Sequence, residues 1–269
     1  MSDDVSGPAT KHGGFLTELR LAVSFLTIIP VIDQRRASED TVAASFAWFP
    51  IVGFAIGVAL AAEDWLLSFF FAQVIRSVFI VISLTVVTGA VHLDGLADTA
   101  DALGAGRDRE RALEILRDSR VGTFGASAIF FDLTLKILAL SALAGPRRYA
   151  ALIIAPTLAR FAMVMVGVGI PYLRESGAGT AFLNSQSLGW RRRVAVIFLI
   201  IDCAILLSPF RTVGVLAVSI ALLTAFLMHL FYRRWLGGVT GDLIGACGEV
   251  IEIAVLLTMS LGVYFTFSG

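Results

Sequence analysis

Charge is scarce in this chain. Only 16% of its residues are Asp, Glu, Lys or Arg, against about 25% in ordinary soluble domains. That shortage excludes a water-exposed globular fold, and the 57% hydrophobic content and mean hydropathy of +0.86 point the same way. Cysteine is nearly absent. Cys203 and Cys247 sit in different apolar segments without metal-ligand spacing, which excludes a disulfide framework and a zinc site. The three histidines, His12, His92 and His229, are scattered and form no nucleophilic triad. There is no Walker A loop, no dinucleotide-binding glycine fingerprint and no internal repeat. No secretory signal is expected, and nothing calls for a nucleic-acid partner.

What the chain does have is long apolar runs. Several reach the length that crosses a bilayer core. They lack the alternating ten-residue segments of a β-barrel. The expected fold is therefore all-α, a polytopic membrane helical bundle of about seven transmembrane helices. The spans are expected near 42–62, 65–92, 122–144, 149–171, 194–209, 212–231 and 250–267. Phe15–Ile32 is interrupted by Glu18 and Arg20 and stopped near Pro30, so it reads as an N-terminal interfacial or re-entrant helix. Residues 1–14 are expected to form a flexible tail, and 15–269 a single integral-membrane domain.

Fifteen Lys and Arg residues fall on one side of these spans and three on the other, with Arg76, Lys136 and Arg160 inside them. By the positive-inside rule, the N-terminus and the three long loops lie in the cytoplasm. Every stretch with chemical potential opens from those loops. A transporter would need sites at the midplane and access from both faces.

The densest chemistry is His92-Leu-Asp-Gly-Leu-Ala-Asp-Thr-Ala-Asp101. Steps of four and three residues put Asp94, Asp98 and Asp101 on one helical face. One acidic residue near a helix start complements the dipole. Three aligned carboxylates repel one another, and an oxygen-rich face of this kind suits a hard divalent cation such as Mg²⁺. The loop continues through a charged helix, 107–118, expected to lie on anionic headgroups. It then reaches Asp118-Ser-Arg120-Val-Gly-Thr123-Phe-Gly125, whose glycines and hydroxyls could expose N–H groups to a phosphate, with Arg120 adding charge. Within the spans, Asp132 and Lys136 are four apart and can pair. Arg160 can pair with Asp132 or Asp202, or these groups can face a substrate. Asp242 and Glu249 are seven apart, a second acidic cluster on one helical face with small residues between them, and Glu252 lies deeper. Two carboxylate clusters across a bundle can hold metal against a diphosphate. Polar helix packing is the plainer alternative.

Three stretches together, His92–Leu103 (HLDGLADTADAL), Leu116–Gly125 (LRDSRVGTFG) and Gly237–Glu252 (GGVTGDLIGACGEVIE), resemble the signatures of the cobalamin synthase family. Shorter echoes are Phe25–Pro30, Phe49–Gly53, Lys136, Arg160 and Tyr172–Gly177. Ile28 stands where that family often has Arg, and Ala102 where it often has Gly. The resemblance implies a membrane-embedded, Mg²⁺-dependent transferase in the bacterial cytoplasmic (inner) membrane. Its substrates would be adenosylcobinamide-GDP and α-ribazole or its 5′-phosphate, and it would release GMP. It implies Asp94, Asp98, Asp101, Asp242 and Glu249 as metal ligands. One of these carboxylates, or Asp118, would draw the proton from the attacking hydroxyl. Arg120, Thr123, Lys136 and Arg160 would contact phosphate. A homo-oligomer or contacts with other cobalamin-assembly enzymes are compatible with it. Among rivals, a prenyltransferase lacks its Asn-Asp-rich first motif here. A CDP-alcohol phosphotransferase would need Asp where Val91 stands and Arg where Thr99 stands. A divalent-cation transporter would need more acidic residues at depth, and a pathway adaptor would leave the aspartate geometry unused.

Overall fold

The computed structural model describes residues 14–32, 37–106, 108–118, 120–174 and 189–261, with side chains of 189–211 outside that description. The tail, Arg107, Asp202 and Cys203 therefore lie outside the described residues or side chains. Every regular element among the described residues is helical, and an isolated parallel bridge joins Tyr172 to Val239.

The helices are α1 (Phe15–Leu26), α2 (Glu39–Ser45), α3 (Phe49–Leu67), α4 (Gln73–Val87), α5 (Val91–Gly104), α6 (Arg109–Ile115), α7 (Thr123–Ala142), α8 (Gly145–Val166), α9 (Gly189–Trp235) and α10 (Gly241–Ser260). Their starts follow local chemistry. The Ser38 hydroxyl accepts from Thr41 N and caps α2, and Glu39 and Asp40 complement its dipole. Proline occupies the first turns of α3 and α8, where a missing N–H costs nothing. The Thr240 hydroxyl caps α10 by accepting from Leu243 N.

Among the described residues, five helical stretches are long and apolar enough to cross a membrane: Glu39–Leu67, Thr123–Ala142, Gly145–Val166, Thr212–Trp235 and Gly241–Ser260. The count becomes six if the bent pair α4–α5 is one span, and the further span expected at 194–209 lies where the side chains are outside the description. Two local features differ from the expected spans. The stretch expected to span at 65–92 breaks instead. Gly89 (φ 62°) and Ala90 (φ 56°) both adopt the left-handed conformation, and α5 departs from α4 at 89°. A left-handed alanine is strained by about 1–2 kcal/mol. The turn is pinned by Ile28 N donating to Val87 O at 2.8 Å, which ties the segment after α1 to the end of α4. In the second case, the spans expected at 194–209 and 212–231 lie on one continuous helix of 47 residues. A lone Pro209 is too weak a signal to break an apolar helix. The expected interfacial helix corresponds to α1, which turns Leu21, Ala22 and Leu26 inward and leaves Phe15 and Leu16 exposed.

Small residues let the central helices approach closely. A Cβ on Gly53 would sit 2.4 Å from Pro156 O, and one on Gly57 2.6 Å from Ile153 Cα, so α3 lies directly against α8. A Cβ on Gly95 would sit 2.6 Å from Asp242 O, and one on Gly245 3.1 Å from His92 Cα, so α5 crosses the start of α10 backbone to backbone. At the far end of the bundle, Asp64 is fully buried. Arg148 grips it through Nη2 (2.6 Å) and Nε (2.9 Å), and Arg76 Nη1 adds a bond at 2.9 Å. This bidentate knot joins α3, α4 and α8. It leaves the other end of the bundle, where α5 meets α10, to carry the exposed acidic groups.

Candidate active site

The bend at Gly89–Ala90 lays α5 across the mouth of the bundle. Asp94 is exposed there, and Asp98 and Asp101 are half-buried. The Gly95 crossing sets Asp242, at the first turn of α10, beside this face. Helix α5 is not among the five membrane-crossing stretches. Burial, then the neighbouring Asp94 and Asp242 charges, push the Asp98 carboxyl up from 3.8 to about 6. Arg174 pulls the other way, donating from Nη2 to Asp242 Oδ2 at 2.7 Å.

Asp101 has a different engagement. Its Oδ2 accepts from Gly122 N at 2.6 Å and its Oδ1 from Gly125 N at 2.9 Å, so it caps α7 from a distance. This changes the expectation for the glycine-rich start of α7, because two of the N–H groups thought open to a phosphate are already held by a carboxylate. Thr123 is exposed at the same helix start. Asp118 and Arg120 pair with each other in an exposed bridge whose shortest contact, Nη2 to Oδ2, is 2.6 Å. The Arg120 guanidinium holds the Asp118 carboxyl below its ordinary range, which makes it a weaker base.

Lys136, Arg160 and Glu249 do not reach this face. Lys136 Nζ contacts Glu249 Oε2 directly, Glu252 Oε2 at 2.9 Å and Asp132 Oδ2 at 3.1 Å. Arg160 Nη1 is bonded to Glu252 Oε1. All five are buried. Asp242 and Glu249 share one helical face as expected, but two turns separate them, so the first meets the aspartates and the second meets Lys136. Arg160 takes Glu252, on α10, where Asp132 or Asp202 was expected. Glu252, expected to turn aside, is the residue that joins both cations. His92 is buried where α5 meets α10. His229 Nδ1 lies 3.0 Å from Val166 O, a structural contact.

Two important residues were not singled out from sequence. Arg174 was visible only as part of the Tyr172–Gly177 echo. Asp64 closes an apolar span and gave no motif, although a carboxylate there calls for a cationic partner.

Among the described residues, no group of three or more His, Cys, Asp or Glu side chains converges into a ready-made metal cage. The donor set still fits Mg²⁺, which binds through one or two carboxylates and takes its remaining ligands from water and substrate phosphates. Asp94 and Asp98 form no ion pair with any described side chain, and the raised proton affinity of Asp98 reflects burial first and then the like charges of Asp94 and Asp242.

The architecture is that of a polytopic all-helical membrane protein with an acidic site at one end. The family model for cobalamin-5-phosphate synthase matches residues 18–260, and the chain belongs to that family. Relatives named adenosylcobinamide-GDP ribazoletransferase agree in length and sequence. The protein of Syntrophobacter fumaroxidans is 38% identical over 87% of this chain and 94% of its own. That of Roseiflexus sp. is 38% identical over 89% and 88%. That of Pseudomonas putida is 37% identical over 90% and 98%. No solved structure matches the chain.

Proposed function

We propose that this protein is a Mg²⁺-dependent transferase that joins adenosylcobinamide-GDP to α-ribazole or its 5′-phosphate and releases GMP. The observation that carries the reading is the crowded carboxylate pair Asp94–Asp98, with no ion pair of its own to a described side chain, beside Asp242 at the open end of a membrane bundle. Such a face disfavours an anionic diphosphate unless a cation comes with it. Asp94, Asp98 and Asp242 would hold Mg²⁺, which supplies charge neutralisation at the phosphates. Asp101 orients the start of α7 through its two N–H bonds and keeps a lone pair on each oxygen for the same site.

The ribazole 3′-hydroxyl attacks the phosphorus nearer the cobinamide, a P–O bond forms there, and the bond to GMP breaks. Phosphoryl transfer of this type rests on positioning and charge stabilisation. One of the carboxylates at this face takes the hydroxyl proton. Lys136, Arg160 and Glu249 support α10 from within. A site on the cytoplasmic side of the inner membrane is the orientation that the Lys and Arg bias of the expected loops supports.

The test is direct. Purified protein supplied with adenosylcobinamide-GDP, α-ribazole and Mg²⁺ is expected to form cobalamin and GMP in equal amounts, to fall silent with EDTA and to recover with added Mg²⁺. Chelator-resistant turnover would remove the metal from the mechanism, and no GMP at all would remove the reaction.

A further inference from the structure

We infer that Arg174 is the residue that takes the donor's diphosphate, and that Asp242 holds it in waiting. The inference rests on the diphosphate reading above and adds a phosphate ligand to it. The acidic face needs positive charge if an anionic donor is to dock. Lys136 and Arg160 are buried and committed to Asp132, Glu249 and Glu252. Arg120 is turned to Asp118 by three side-chain bonds. Arg174 alone among the described cations forms an ion pair with a member of the acidic set at the mouth.

Its placement is fixed by the backbone. Leu173 N donates to Val239 O at 2.8 Å and Val239 N donates to Pro171 O at 2.9 Å, so the segment bearing Arg174 is clamped to the residues leading into α10. Gly238 makes that clamp possible, since a Cβ there would sit 2.4 Å from Pro171 O. Among the described residues, the guanidinium uses a single nitrogen for its bonds. Nη2 donates to Asp242 Oδ2 at 2.7 Å and to Leu116 O at 3.1 Å. Nη1 and Nε make no hydrogen bond to a described protein atom, and the side chain remains 39% exposed. A planar fork with open donors, held at a fixed point beside carboxylates, matches the oxygens of a phosphate bidentately. The bond to Leu116 O also ties the end of α6 to this residue, so donor binding and the position of the 105–122 segment are coupled through one side chain.

Equilibrium binding of adenosylcobinamide-GDP with Mg²⁺ present, followed by corrin absorbance, tests this on purified wild type, Arg174→Ala and Arg174→Lys. Arg174→Ala is expected to weaken donor binding about 10- to 100-fold, the loss of charge-assisted hydrogen bonds. Arg174→Lys should lie between, and the KM for α-ribazole should stay within about twofold of wild type. Added guanidinium ion at millimolar concentration should recover part of the donor binding in Arg174→Ala, a rescue that a purely structural role would not give. Arg174→Ala that binds donor like wild type overturns the assignment. So does a variant that loses donor and ribazole affinity together and does not respond to guanidinium. Wild-type protein that binds no donor overturns the diphosphate reading and this inference with it.

Discussion

Asp98→Asn is expected to lower GMP release about 10²- to 10³-fold, the scale on which removal of one electrostatic stabiliser acts, while leaving the protein at least as stable as wild type. The two effects have a common source. In the folded protein, burial and the charges of Asp94 and Asp242 raise the Asp98 carboxyl from 3.8 to about 6. A raised acid holds its proton more tightly when folded than when unfolded. Its carboxylate form therefore costs stability, and the cost develops as pH rises from about 4 through about 6 and is fully present above that. Asparagine removes the charge and the cost. Thermal unfolding in detergent at pH 8 should show a midpoint for Asp98→Asn equal to or above that of wild type, and at pH 4 the two should converge. The Mg²⁺ concentration needed for half-maximal turnover should rise as pH drops through about 6, where Asp98 in the metal-free protein takes up its proton. A variant that turns over normally, or that is destabilised at pH 8, would contradict this account. Stability gained where activity is lost is the usual signature of a strained functional group.

Lys136→Met is expected to be the most destabilising single substitution in the membrane core. Lys136 faces three carboxylates, those of Asp132, Glu249 and Glu252, and only Arg160 remains to balance them once it is gone. Breaking one side of a buried ion network costs about 3–5 kcal/mol, because the charge left behind has no partner and no water. The cost should appear as a large drop in folded, monodisperse protein recovered in detergent. The double variant Lys136→Met/Glu249→Gln should recover a substantial part of that loss, since it removes a stranded charge along with its partner. If Lys136 instead contacted phosphate, the single variant would fold normally and lose only donor affinity. Normal recovery of Lys136→Met would therefore return this residue to the candidate substrate contacts.

The sequence makes some features of the molecule legible and hides others, for identifiable reasons. The aspartate face is legible because helical spacing alone aligns Asp94, Asp98 and Asp101. That Asp101 caps α7 is not legible, because the bond spans 21 residues and depends on how α5 turns. The turn itself hides in Gly89-Ala90, since nothing local announces a left-handed alanine inside a long apolar run. Its consequence is large, for it ends one expected span early and lays the site across the bundle. Pairing within the spans is half legible. Asp132 and Lys136 are four apart and meet, whereas Arg160 and Glu252 are 92 residues apart and meet only through tertiary packing. Arg174 sits in an unremarkable loop, and only the clamp between residues 171–173 and Val239 brings it to Asp242.

The central claim is that the open face of α5, and not the buried network, receives the divalent cation. Titration of Mn²⁺ into purified protein, read by electron paramagnetic resonance with adenosylcobinamide-GDP present, tests it without relying on turnover. The account predicts that wild type binds the ion in a donor-dependent manner and that Asp94→Ala/Asp98→Asn does not. A double variant that binds Mn²⁺ as tightly as wild type would contradict it.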